Sequence, residues 1–251
     1  YQPGGINGGQ ATIFDALRSA GVSFHLSQWW RGERENLAAL HQALDAGRPR
    51  FVYLYLAELD ALLHREGTHG AGVGAKLAGY EAALTELLRH AGERYEEVRL
   101  FVFSDHGMTD VVTHLDLRDR IDASGLVFGQ DYGAVYDSTM ARFWFVRDAA
   151  RRRILELLAQ EPRGRVLSDD ELRRYGCLFP SGRYGQAFFL LEPGALLVPS
   201  DMGLRGIPGM HGYAPEHRDS VAFFGTNVEL REAPRGLADL HRLMLREAGL
   251  D

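Results

Sequence analysis

Val98-Arg-Leu-Phe-Val-Phe-Ser-Asp-His-Gly-Met108 passes from an apolar, β-branched and aromatic stretch straight into an Asp-His-Gly turn. A continuous run of this kind reads as a strand covered on both faces, and its end delivers Asp105 and His106. A second such run lies upstream, Phe51-Val-Tyr-Leu-Tyr-Leu-Ala57, and leads into Glu58, Asp60 and His64. Between the two, Val73, Leu77, Tyr80, Leu84, Leu87 and Leu88 recur at helical spacing and predict an amphipathic helix from Val73 to His90. Strand, helix, strand in that order predicts a parallel pair joined by a right-handed crossover. Both polar groups then emerge on one edge of the sheet, where α/β folds place their chemistry.

Working outward, Thr12–Gly21 carries Ile13, Phe14, Leu17 and Ala20 at helical spacing with a glycine at the stop, and Glu33–Ala46 reads as a second helix. Beyond Met108, Ala141–Val146 and Gln186–Leu191 read as strands, and Ala149–Gln160 and Ser168–Tyr175 as helices. Asp219–Gly225 reads as a returning core strand and Leu237–Ala248 as a closing helix. The expected fold class is α/β: a three-layer α/β/α sandwich with a mostly parallel central sheet. One catalytic domain is expected over residues 1–251, with a smaller inserted lobe at about 137–200.

Composition narrows the function classes. The 45% apolar content suffices for a substantial core, and no run of eighteen or more apolar residues occurs to span a membrane. Tyr1-Gln-Pro-Gly-Gly5 has neither the charged nor the apolar region of a signal peptide, which leaves the compartment open with a slight lean to the cytoplasm. A net charge of −6 argues against a phosphate-backbone binder, and Arg151-Arg-Arg153 is a short helix-surface run. The one cysteine, Cys177, excludes an internal disulfide. Of the 28 basic residues only Lys76 is a lysine, a skew that suggests a GC-rich, bacterial coding sequence.

The chemistry is argued from residue types and spacing. Asp60 and His64 are four apart and face one direction on a helix, so they can share a cation, which His211 in Gly206-Ile-Pro-Gly-Met-His-Gly212 can complete. One carboxylate and two imidazoles with an open position is the composition of a catalytic zinc site. Asp105 and His106 are adjacent and reach one ion only from a sharp loop, which Gly107 eases. Two ions about 3.5–4 Å apart would clamp an oxyanion and activate a nucleophile. Singly, each feature has a bland reading: a helix-surface salt bridge for Asp60 and His64, an ordinary turn for Asp-His-Gly, a loop residue for His211. Their joint occurrence at the ends of two buried strands favours the metal reading.

Three blocks carry a family resemblance: Tyr55-Leu-Ala-Glu-Leu-Asp60 continuing to His64-Arg-Glu-Gly67, then Val102-Phe-Ser-Asp-His-Gly-Met-Thr109, then Met210-His-Gly-Tyr-Ala-Pro215. In content and order the chain resembles the alkaline phosphatase superfamily and, within it, the type I phosphodiesterase/nucleotide pyrophosphatase family. The resemblance implies an alkaline phosphatase-like fold and two divalent metal ions, usually zinc. It implies that Asp60, His64 and His211 hold one ion and Asp105 and His106 the other. The implied reaction is hydrolysis of phosphodiester or pyrophosphate bonds through a covalent phospho-enzyme, on a small phosphate ester that can be a nucleotide. Family members also carry a metal-binding Asp near the first strand and a Thr or Ser nucleophile at a helix start followed by Asn, all upstream of the Tyr55 block. Nothing before Thr12 shows that pattern, and Thr12 and Asn7 are poor substitutes. The expectation is therefore that the nucleophile lies upstream of Tyr1, and that this chain alone binds one zinc ion tightly and hydrolyses little.

Rival readings are weaker. Cys177-Leu-Phe-Pro-Ser-Gly-Arg183 has the cysteine-five-arginine spacing of tyrosine phosphatases without their flanking His and Ser or Thr. Cys177 also has the wrong setting for a sulfatase. A phosphomonoesterase or phosphomutase of the same superfamily, or a non-catalytic metal-binding relative, stay as alternatives. His69, His114 and His217 read as bystanders, and Tyr132, Tyr136, Trp144 and Tyr184 as core residues before base-stacking ones.

Overall fold

The computed structural model describes residues 9–47 and 49–250, so Asn7 lies outside the described residues. In chain order the helices are α1 (Ile13–Ser19), α2 (Glu33–Ala46), α3 (Glu58–Glu66), α4 (Ala71–Gly92), α5 (Leu117–Asp122), α6 (Asp148–Ala159), α7 (Asp169–Arg174) and α8 (Leu237–Glu247). The strands are β1 (Phe24–Leu26), β2 (Phe51–Tyr53), β3 (Phe101–Phe103), β4 (Thr109–Asp110), β5 (Thr113–Leu115), β6 (Tyr132–Asp137), β7 (Met140–Phe145), β8 (Gly164–Val166), β9 (Ala187–Leu191), β10 (Ala195–Leu197), β11 (Gly209–Met210) and β12 (Phe224–Thr226). The chain divides into two compact units, one made of residues through Leu59, Gly74–Asp105 and Phe224 onward, the other of Asp60–Val73 and His106–Phe223. Among the described residues no helix is long and apolar enough to cross a membrane.

In the first unit β1 and β2 form a parallel pair with Phe24 opposite Phe51, and β3 and β12 an antiparallel pair with Phe103 opposite Phe224. Leu40, Leu44 and Ala91 form its core, with Leu54, Leu87, Tyr95 and Val98 packed against them. The expected parallel pairing of the Phe51 and Val98 runs is not what forms: β2 takes β1, β3 takes β12, and the two runs meet through the Tyr53 and Phe103 rings at 6.3 Å. Both strands are also shorter than their apolar runs, because side chains take over the ladder. Tyr55 N donates to Ser27 Oγ at 2.8 Å just beyond β2. Before β3, Asn227 accepts from Leu100 N at 2.7 Å and donates to Val98 O at 2.9 Å. Val52 is exposed, so β2 is not covered on both faces. The run expected as a strand at Asp219–Gly225 begins with a 3-10 turn, Arg218–Ser220, whose Asp219 N donates to His217 Nδ1. Only its end joins β12.

The second unit is built on a four-stranded antiparallel sheet in the order β6-β7-β9-β8. Tyr132 lies opposite Phe145, Met140 opposite Leu190 and Gly164 opposite Leu191. Every residue of β9 is buried, as its Ala-Phe-Phe-Leu-Leu sequence demands. Phe143, Phe189, Tyr132 and Ile154 are fully enclosed, Ile154 projecting from α6. Tyr132 and Tyr136 are thus core residues, and Trp144 Nε1 donates to Gly182 O at 2.9 Å. Two small ladders complete this unit: β5 runs parallel to β10, and β4 runs antiparallel to β11 with Thr109 opposite Met210. The sheet begins at Tyr132, ahead of the 137–200 stretch expected as a lobe. Parallel pairing is confined to β1–β2 and β5–β10 among the described residues.

Candidate functional site

Helix α3 carries Asp60 and His64 one turn apart, with His64 Nε2 at 3.5 Å from Asp60 Oδ1. His211 Nε2 approaches the same oxygen at 4.0 Å. Neither separation is a hydrogen bond. Asp60 Oδ1 is shielded from solvent without a hydrogen-bond partner, although the side chain as a whole is 47% exposed. The His106 ring stacks on that of His211, centroids 3.5 Å apart and planes 16° from parallel, while the His64 ring stands 5.1 Å from His211. One ligand atom each from Asp60, His106 and His211 falls within 4.8 Å of the others.

Local structure explains this convergence. The ladder of β4 with β11 sets Thr109, three residues after His106, beside Met210, one residue before His211. A Cβ on Gly209 would lie 2.3 Å from Leu63 O, so only glycine lets β11 close against the end of α3. The Gly209 carbonyl then accepts from His64 Nδ1 at 2.8 Å. A carbonyl only accepts, so Nδ1 holds the proton and a neutral ring keeps its Nε2 lone pair toward Asp60. His106 Nδ1 likewise donates to Gly107 O at 2.8 Å. Imidazoles oriented in this way by backbone carbonyls are the usual support of metal-binding histidines. Gly107 does not use a left-handed turn; its requirement is close approach, since a Cβ there would meet Asp219 O at 2.1 Å. After His211, Thr139 Oγ1 donates to Gly212 O at 2.8 Å and the buried Tyr213 hydroxyl donates to Ala195 O at 2.8 Å. Burial pushes the Tyr213 phenol up to about 12, so it stays a neutral anchor at ordinary pH.

An unsatisfied carboxylate oxygen facing imidazole lone pairs is a donor set that a divalent cation fits, and one rich in imidazole suits zinc and its neighbours. Asp105 follows β3 in the first unit, where burial, Tyr55 and the Asp105 charge together raise the pKa of Tyr53. The structure brings His106 close to Asp60 and His211. Thr12 is a helix cap: its hydroxyl accepts from Asp15 N at 3.2 Å and donates to Asp15 Oδ2 at 2.8 Å. Cys177 Sγ contacts Tyr175 O at 3.4 Å, and the Arg183 guanidinium lies over Tyr184. Sequence reading missed Gly209, whose role depends on an approach between residues 145 positions apart.

Comparison with known proteins agrees with the three sequence blocks. The model of the type I phosphodiesterase / nucleotide pyrophosphatase family matches residues 14–214. No curated protein sequence matches the chain. Among solved structures, murine ectonucleotide pyrophosphatase / phosphodiesterase 5 is similar with a TM-score of 0.77 and 18% identity, over 96% of this chain and 71% of that one. The human protein of the same name gives 0.77 and 16% over the same shares. An inactive variant of the murine protein in complex with AMP gives 0.77 and 17%, again over 96% and 71%. At such identities the structures show the α/β, alkaline phosphatase-like fold, and the family match carries the rest. The chain belongs to the type I phosphodiesterase / nucleotide pyrophosphatase family of the alkaline phosphatase superfamily.

Proposed function

We propose that this protein hydrolyses phosphodiester or pyrophosphate bonds of a small, nucleotide-like substrate with two divalent cations, zinc by preference. Asp60, His64 and His211 are the ligands proposed for one ion, and His106 with Asp105 for the other. The observation that carries the reading is the gathering of one ligand atom each from Asp60, His106 and His211 within 4.8 Å of one another, on a carboxylate of which one shielded oxygen has no hydrogen-bond partner. A solved relative holding AMP supports a nucleotide as the substrate class. Bound divalent ions supply Lewis-acid stabilisation of phosphoryl charge and activate an oxygen nucleophile.

The chain's own residues do the positioning. Gly209 and Gly107 carbonyls fix the Nδ1 protons of His64 and His106 and turn the Nε2 atoms forward. Tyr213 and Thr139 hold the segment that bears His211. Cleavage through a covalent phospho-enzyme is part of the proposal, and none of the described residues is assigned as its nucleophile. The test is hydrolysis of a chromogenic phosphodiester before and after chelation. Activity lost to chelator and restored by zinc is expected, and activity undiminished by prolonged chelation contradicts the proposal. A matched phosphomonoester run in parallel separates diesterase from monoesterase action.

A further inference from the structure

Helices α2 and α3 both begin without a local side-chain cap. The residue before α2 is Gly32, which offers no side-chain hydrogen bond, and the residue before α3 is Ala57. Their first amides are satisfied by each other's first residue. Glu58 N donates to Glu33 Oε1 at 2.7 Å, and Glu33 N to Glu58 Oε1 at 3.3 Å. The next amide of α3, Leu59 N, donates to the Tyr80 hydroxyl at 3.2 Å, and that hydroxyl donates to Glu33 Oε1 at 2.5 Å. Lys76 Nζ bridges the pair, 2.6 Å from Glu33 Oε2 and 2.6 Å from Glu58 Oε2, and lies 4.8 Å from the centre of the Tyr80 ring.

Each carboxylate suits the partial positive charge of the helix end it caps. Two carboxylates this close repel unless a cation joins them, and the Glu33 side chain is only 8% exposed, so solvent screens it little. A compact ammonium reaches one oxygen of each carboxylate and rests on the ring, whereas a planar guanidinium fork pairs best with a single carboxylate. It is here that a chain with 28 basic residues uses its single lysine.

We propose that Glu33, Glu58, Lys76 and Tyr80 form a clamp that sets the start and rotation of α3, making Lys76 a positioning residue for Asp60 and His64 further along that helix. This rests on the metal-binding reading of those two residues. The clamp supplies what the sequence before α3 omits: a fixed start for a helix whose first two turns carry the proposed ligands. Without it, the helix end frays and the pair that must present its oxygens and nitrogens to one ion loses its common bearing.

The test compares the wild type with Lys76→Met and with Tyr80→Phe, the second keeping the ring and removing only the hydroxyl. Hydrogen exchange of the Glu58 and Leu59 amides reports the clamp, and calorimetric titration with zinc reports the ligands. Both variants are expected to lose protection at those amides and to bind zinc roughly tenfold more weakly, as happens when support behind a ligand is removed. Unchanged protection overturns the clamp. Lost protection with unchanged zinc affinity overturns the positioning role and leaves a structural staple. A wild type that binds no zinc defeats the metal reading itself, visibly before any variant is made, and the positioning role with it.

Discussion

The two units solve the same packing problem differently. In the second, four paired strands bury whole side chains, and Phe143, Phe189 and Tyr132 lose all contact with solvent. In the first, strands pair only two by two, Val52 on β2 is exposed, and side chains of Ser27 and Asn227 replace the ladder after three residues. Hydrophobic stabilisation scales with the apolar area removed from water, so the second unit holds more of it per strand. It is also the unit that carries His64, His106 and His211, together with the carbonyls that orient two of those rings. On the proposed metal reading, these three histidines, whose ring positions a cation would require to be held closely, rest on the better-packed framework.

That contrast can be broken most sharply at its centre. Replacing Phe143 by Ala should cost about 3–5 kcal/mol, the range for truncating a fully enclosed aromatic. Denaturant unfolding followed by circular dichroism measures it, and a loss below about 1 kcal/mol would show that the sheet is not the stabilising element.

A smaller effect is expected at Glu161, whose side chain is 1% exposed and pairs with Arg163 through Nε at 2.6 Å and with Arg120. The Arg163 hydrogen bond, ahead of the Arg120 charge, holds its carboxyl below the usual value near 4.5. A depressed carboxylate pKa means that this stabilisation is complete above the unfolded value and is lost as pH falls through the folded one. Both arginines are more than a third exposed, so Glu161→Gln should cost roughly 1–3 kcal/mol at neutral pH rather than the full cost of a buried pair. The difference from wild type should shrink as unfolding is measured below about pH 4, and a difference that grows there would reverse the assignment. The smallest effect belongs to the first unit, where Val52→Ala should cost under about 1 kcal/mol because the side chain is already partly in water. A cost equal to that of Phe143→Ala would erase the comparison.

Legibility from sequence follows the range of the interactions. Helix α2 spans Glu33–Ala46 as its periodicity predicts, since helical spacing is a local property. The family blocks were readable because each is contiguous. Strand lengths were overestimated where apolar runs continue past the point at which Ser27 and Asn227 intercept the backbone, 28 and 127 positions from the residues they bind. Pairing failed for a related reason: apolar runs say that a strand is covered, not which neighbour covers it. Gly107 looked like a turn residue, yet the pressure on it comes from Asp219. The joining of α2 to α3 through Lys76 had no sequence signature beyond the rarity of that lysine.

The most direct test of the metal-binding account is calorimetric titration of the protein and of His211→Ala with zinc. The account predicts saturable binding by the wild type and, in the variant, a loss of at least roughly 100-fold in affinity with the fold intact. Identical isotherms for the two proteins would contradict it.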